Sequence, residues 1–276
     1  MSYRRKRLLI LFCAAGFTLG GLAGCGQNTE NNVETTETVT EVTTYVQLSD
    51  DEITADAKGV TVEEHTVTIS KEGTYVFSGT LSEGQIIVDA ADTDKVQIIL
   101  DNVDITCTTS AAIYVKNADK VYVTLEENSQ NTLRNTDEYV AIDDNNIDAV
   151  IFSKSDLTLN GSGSLTIEAA NGHGVVSKDD LEITGGTYDI TAASHALSGK
   201  DSVSIADGTF TLTSGKDGIH SENTEEEEKG SVSIAGGSFT IISEGDGIDA
   251  SGTVEIEDGV FDITAGGGAE NGSKQN

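Results

Sequence analysis

Two short strings in this chain place acids and a histidine at matching positions. Lys216-Asp217-Gly218-Ile219-His220-Ser221-Glu222-Asn223 is followed 29 residues later by Asp246-Gly247-Ile248-Asp249. If the two strings occupy equivalent positions of a repeat, Asp217 lies over Asp246 and His220 over Asp249, with Glu222 and Asn223 close behind. Carboxylates stacked roughly 5 Å apart repel, so either one of their pKa values rises or a cation sits between them. An oxygen-rich set of this kind suits Ca²⁺, which takes roughly 6–8 oxygen ligands. A second oxygen-rich stretch is Asp143-Asp144-Asn145-Asn146 followed by Asp148; it lacks the glycine and closing glutamate of an EF-hand. The candidate Ca²⁺ ligands are therefore Asp143, Asp144, Asp148, Asp217, Glu222, Asn223, Asp246 and Asp249. The plainer alternative is solvated surface charge, because 47 acids produce chance clusters. His173 and His195 sit where two earlier coils would carry Asp217, and they read as ladder or surface residues rather than ligands. The run Glu225 to Glu228 reads as a solvated loop.

The inventory for catalysis is thin. Stacking alone generates carboxylate pairs, so a pair resembling a glycosidase acid and base carries little specificity. There is no Gly-x-Ser-x-Gly, no His-Glu-x-x-His and no P-loop. A pectate-lyase-type elimination needs a strong base beside a bound uronate, and Arg134 is the only arginine beyond residue 7. No catalytic residue is assigned.

The elements that must position these side chains repeat. Val203-Ser204-Ile205-Ala206-Asp207-Gly208-Thr209-Phe210-Thr211-Leu212 matches Val232-Ser233-Ile234-Ala235-Gly236-Gly237-Ser238-Phe239-Thr240-Ile241 position by position. Further copies begin at Leu157, Leu181 and Val254, giving spacings of 24, 22, 29 and 22 residues. The excess in the 29 falls at Thr224 to Gly230. Apolar residues alternate with Ser, Thr, Asp or Glu, the period of strands with one buried face. Glycine pairs between them supply corners, and a third short strand follows at Gly174, Ala196, Gly218 and Gly247. A fixed period near 22 residues with three strands per unit predicts an all-β fold, a single-stranded parallel β-helix of about 22 residues per coil. Looser alternation at 66–69, 74–77, 85–88, 96–100 and 121–125 extends it upstream. Tyr75, Tyr122 and Tyr188 are the strand aromatics that could serve as sugar platforms, with Tyr188 a core candidate because its equivalents are phenylalanines.

The ends of the chain set its address. Arg4, Arg5, Lys6 and Arg7 precede an apolar stretch that closes on Leu22-Ala23-Gly24-Cys25. Residues 1–24 are read as a lipoprotein signal peptide and Cys25 as the lipidated residue, anchoring the protein in a lipid bilayer at the outer face of the cell membrane. Residues 25–49 are read as a Thr/Glu-rich flexible tether, 50–265 as the β-helix and 266–276 as a Gly-rich tail that leaves the last strands with little cover. The chain carries net charge −31, which falls to −35 once the four signal bases are gone. Such acidity excludes a nucleic-acid partner, whose phosphates need a basic face. Cys107 then has no partner for a disulfide and reads as a small buried hydrophobe.

The strings around Asp217 and Asp246, the acidic loop, Phe152-Ser153-Lys154-Ser155-Asp156-Leu157 and Val176-Ser177-Lys178-Asp179-Asp180-Leu181 together resemble the calcium-binding, carbohydrate-binding β-helix family of bacterial surface proteins. The resemblance covers about residues 50–265 and is densest over 140–262. It implies a right-handed coil, bound Ca²⁺ and a polysaccharide partner, plant-type or acidic, held without catalysis. Two coils depart from the family pattern, with His173-Gly174-Val175 and His195-Ala196-Leu197 in place of Asp-Gly-Ile. Two other readings stay open: a structural or adhesive solenoid stiffened by Ca²⁺, and a pectate-lyase-like lyase or hydrolase.

Overall fold

The computed structural model describes residues 43–55 and 58–266, all within one compact unit. The signal peptide, Cys25 and most of the tail lie outside the described residues. Within them the regular structure is entirely strand, 25 in number, arranged in one 16-stranded and one 9-stranded sheet. Each pass of the downstream chain contributes three strands, for example Ser202–Ile205, Thr209–Ser214 and Ile219–Ser221. Each of these pairs in parallel with its counterpart one pass earlier and one pass later. Leu157, Leu181, Val203, Val232 and Val254 face one another in a single register, the alignment that the repeat predicts.

Alternation sets which side of each wall is dry. Thr209–Ser214 buries every second residue, and the buried Val, Ile and Leu of all passes merge into one core. Inside it Tyr188, Phe210, Phe239 and Phe261 stack with centroids 5.3, 4.7 and 4.7 Å apart. Tyr188 is thus core, and Tyr75 is also buried, its hydroxyl donating to the Lys71 carbonyl at 2.9 Å; neither is a sugar platform. Tyr122 remains half-exposed beneath the Lys120 ammonium. Cys107 is buried and free.

Upstream the corners are gentler. The strand Lys95–Cys107 runs through its corner at Asn102, φ 58°. Its first half pairs with Lys120–Leu125 and its second with Gln130–Asn135. Downstream the same corner is a turn with glycine at positive φ, such as Gly186 at 107°, a region that costs a side-chain-bearing residue dearly.

The expected tether ends earlier than residue 49. Thr43–Leu48 is a strand, parallel to Gly73–Leu81, with Thr44, Val46 and Leu48 buried. The alternation Thr-Tyr-Val-Gln-Leu gives it one apolar face, and burying that face outweighs the solvation of its Thr neighbours. Antiparallel pieces at Thr54–Ala55 and Val60–Glu63 cover this end of the stack. At the other end Val254, Ile256 and Val260 are 47%, 47% and 71% exposed.

Candidate functional site

The three-residue strands of the 9-stranded sheet carry the site. The residue two positions before each of them donates its backbone N–H to the side chain of its counterpart one coil earlier. The His195 N–H donates to His173 Nδ1 at 3.3 Å, the Asp217 N–H to His195 Nδ1 at 3.2 Å, and the Asp246 N–H to Asp217 Oδ1 at 2.7 Å. Histidine and aspartate are interchangeable here because each presents an acceptor to the next coil. Gly218 follows Asp217 where a Cβ would meet Ile241 Cγ2 at 2.5 Å, so the chain hugs the core and throws Asp217 and His220 outward on either side.

His220 lies in register with Ser198 and Asp249. Its ring turns back over His195, with centroids 4.1 Å apart and planes 11° from parallel. His195 stacks in turn on His173 at 5.0 Å. Asp217 Oδ2 is 3.0 Å from His195 Nδ1 and 3.2 Å from His220 Nδ1. Asp249 Oδ2 is 3.1 Å from His220 Nδ1, and Glu222 reaches His220 Nε2 at 3.8 Å. Burial holds His173 down to about 4, against the opposing pull of Asp148, and holds His195 down to about 3, helped by the neighbouring histidines. Both rings are neutral at neutral pH.

These residues line an open groove of about 310 Å³, within the size range of ligand pockets. Its lining is His173, His195 and His220, the ladder neighbours Val176, Ser177 and Ser198, and the charged side chains Lys178, Lys200 and Glu222. The lysines follow the paired residues Ser177 and Gly199, so they stand on consecutive coils, roughly 5 Å apart along the stack. The Lys178 ammonium rests 5.3 Å from the Phe152 ring centre, and Lys200 pairs with the exposed Glu225 at 3.0 Å. The groove therefore sets two ammonium groups and the imidazoles beside the carboxylates of Glu222, Asp217 and Asp249, on a chain whose net charge is −31.

Beside it runs an acidic edge. Oxygen atoms of Asp156, Asp179 and Asp180 lie within 4.8 Å of one another. Burial and a hydrogen bond shared with Asp201 push Asp179 up to about 6. Asp201 also accepts from Asn223 Nδ2 at 2.7 Å and from Lys229 Nζ at 2.7 Å.

The expected ligands separate accordingly. Asp217, Asp249 and Glu222 converge on His220. Asp246 is exposed and contributes its backbone N–H, not its carboxylate, to Asp217. Asn223 is buried and committed elsewhere: its amide donates to Asp201, and its Oδ1 accepts the Glu225 and Glu226 N–H groups that start the acidic loop. Asp143 is part of a different structure. The 137–148 segment packs over the outer face of the short sheet, where Tyr114, Phe152 and Val176 form a second apolar cluster. Asp143 Oδ2 accepts the Tyr114 hydroxyl at 2.7 Å and Oδ1 the Asn145 N–H at 2.8 Å. Asp144 is exposed, while Asp148 accepts from Asn146 and faces His173 at 3.9 Å. The Asp217 group thus has two imidazole nitrogens that an oxygen-only set would lack, and the all-oxygen set falls at Asp156, Asp179 and Asp180. The sequence sets His220 over Asp249 and His195 in a ladder without naming either a ligand, and it gives no role to Lys178 and Lys200. The Ser-Lys-x-Asp string recurring at 153–156 and 177–180, with Lys200-Asp201 after it, was the signal that could have found the lysines.

Relatives bear on what this groove serves. A protein of Acetivibrio thermocellus described as a carbohydrate-binding domain-containing protein is 37% identical over 187 residues, 66% of this chain and 65% of its own. The chain therefore spans a little under two thirds of that relative's length. A solved structure, described as that of the polysaccharide lyase-like protein from C. thermocellum in a gadolinium derivative, superposes with a TM-score of 0.74 at 35% identity, covering 80% of this chain and all of the other. The carbohydrate-binding domain-containing protein family matches residues 63–276, and the chain belongs to that family.

Proposed function

We propose that this protein is a non-catalytic glycan receptor, lipid-anchored through Cys25 at the outer face of the cell membrane. In this reading its coil is a right-handed single-stranded β-helix that seats a segment of acidic polysaccharide along the His–Lys groove. The observation that carries the reading is the placement of Lys178 and Lys200 on consecutive coils beside three histidines. A chain this acidic repels a uronate polymer everywhere else, so a recognition surface for one must be locally cationic. Neutral imidazoles and Ser198 offer hydrogen bonds to sugar hydroxyls. Calcium enters the proposal at the Asp156–Asp179–Asp180 edge, whose donors are all oxygen, the chemistry that ion takes. When bound it would neutralise the edge and bring a second carboxylate-bearing polymer within reach.

Retention on immobilised polysaccharides, acidic and neutral, with and without a chelator, tests this. Retention on acidic polymers, weakened by chelator, is the expected result. No retention on any polymer in either condition rejects the reading and leaves a structural role.

A second reading, a polysaccharide lyase, is favoured by the description of the solved relative and by the position of His220 between two carboxylates at the groove. Release of unsaturated oligosaccharides from a uronate polymer would establish it; their absence at high protein concentration would remove it.

A further inference from the structure

We propose that His195, Asp217 and His220 form a binding site for a divalent transition-metal ion of the zinc class. The three donors come from two neighbouring coils, and one oxygen or nitrogen atom from each lies within 4.8 Å of the others. The Asp217 Oδ2 distances to the two Nδ1 atoms are 3.0 and 3.2 Å. Two ligands of a tetrahedral zinc, each roughly 2.0–2.1 Å from the ion, stand about 3.3 Å apart. The spacing is therefore close to that of a coordination shell.

Hydrogen bonding in the group leaves a positive centre wanting. His195 Nδ1 accepts the backbone N–H of Asp217, so it carries a lone pair and no hydrogen. It nevertheless faces Asp217 Oδ2, another acceptor, at 3.0 Å. His220 Nδ1 has at most one hydrogen to offer and two carboxylates, Asp217 and Asp249, at 3.2 and 3.1 Å. A cation here satisfies the carboxylate lone pairs that this one hydrogen cannot serve. To bind it, His195 Nδ1, which has a single ring-plane lone pair, exchanges the Asp217 N–H for the ion. Two imidazoles and a carboxylate select a borderline metal over calcium, whose shells are built of oxygen. Glu222 faces the other ring nitrogen of His220 at 3.8 Å, the side from which a carboxylate orients a ligating imidazole. Asp249 stands at Nδ1 itself, and the open groove leaves a coordination position for water or a ligand. The two rings lie 11° from parallel, so their lone pairs run side by side. Coordination requires His220 to turn about its Cβ–Cγ bond, which opens the stack.

The test is calorimetric titration of the chelator-stripped full chain with zinc, in excess magnesium and calcium to screen diffuse binding to the acidic surface. Cobalt(II) serves as an absorption probe of geometry, and the imidazole nitrogen signals report ring rotation. One saturable site that persists under excess magnesium and shifts the His195 and His220 signals is expected. His220→Ser installs the residue that Ser198 places one coil earlier, and should weaken zinc by at least about tenfold. His195→Asp keeps the backbone acceptor role that Asp217 plays one coil later, yet should weaken zinc while leaving calcium unaffected. Absence of saturable zinc binding under magnesium overturns the proposal, as does an unchanged affinity in a folded His220→Ser protein. No glycan is present in the assay, so the result does not depend on the carbohydrate reading.

Discussion

Two stacks run along this molecule, one on each side of its wall. Inside, Tyr188, Phe210, Phe239 and Phe261 repeat at 4.7–5.3 Å; outside, His173, His195 and His220 repeat at 4.1–5.0 Å. Parallel register imposes the inner ladder and the His173–His195 step, since equivalent residues of neighbouring coils must sit one sheet spacing apart, whereas His220, in register with Ser198, reaches His195 by the turn of its ring. Stacking is therefore no sign of function in a fold of this kind. What separates the two is their surroundings. The inner rings pack in or against the apolar core, with the Tyr188 hydroxyl donating to the Gly185 carbonyl at 2.8 Å, and their energy is mainly that of burial. The outer rings meet carboxylates, lysines and a groove, and burial keeps two of them uncharged beside that charge. The inner stack should govern stability and the outer one binding, and substitutions can separate the two.

The largest effect should come from within. Phe210→Ala removes a fully buried ring between two others and should cost about 3–5 kcal/mol, cavity included, read as a shift in denaturant midpoint. A cost below about 1 kcal/mol would mean that the coils collapse onto the gap and that the inner stack is not the stabilising one. The next effect should appear only in binding. Replacing Lys178 and Lys200 together by Ala should reduce retention on an acidic polysaccharide about tenfold, or about 1.4 kcal/mol. The loss should be greater at low salt, with the melting temperature unchanged because both side chains are at the surface. Equal retention of the double variant would move the glycan off this groove. The inner stack also has a graded end: Phe261 is the last rung, stacked on Phe239 but only half-buried. Phe261→Ala should cost about 1 kcal/mol, far less than the same change at Phe210, in the same denaturant measurement.

Much of the wall was legible and much of the site was not, for physical reasons. Repeated Val-x-Ile and Gly-x-Phe strings at constant spacing determine which residues share a register, and the structure aligns Val203 with Val232 accordingly. Period 2 is visible only where one face is wet. Ile113–Asn117 and Ala149–Ser153 are covered on both faces, the second by the 137–148 segment, so their apolar runs do not alternate and escaped notice. With Tyr114 unplaced, nothing indicated that Asp143 was already taken by its hydroxyl. Register also fixes where a Cα lies but not where a ring turns. His220 was correctly set over Asp249, yet its return onto His195 depends on side-chain torsions that no spacing encodes. Composition misled at Thr43–Leu48, where a Thr/Glu-rich neighbourhood hid a short amphipathic strand.

The smallest effect is the one that most sharpens the contrast between the stacks. His220 is a ring stacked at 4.1 Å, closer than any pair of the inner ladder, and its side chain is 15% exposed. If stacking itself stabilised the coil, removing this ring would be felt as strongly as removing Phe210. Its neighbours argue otherwise. Ser198 holds the same position one coil earlier without loss of register, and charge–imidazole pairs near the surface contribute little net energy. In metal-free buffer His220→Ser should therefore change stability by no more than about 0.5 kcal/mol, measured by the same denaturant unfolding used for Phe210→Ala. A loss of several kcal/mol would place the histidines with the phenylalanines as structural rungs, and would remove the reason to look for ligands at the outer stack.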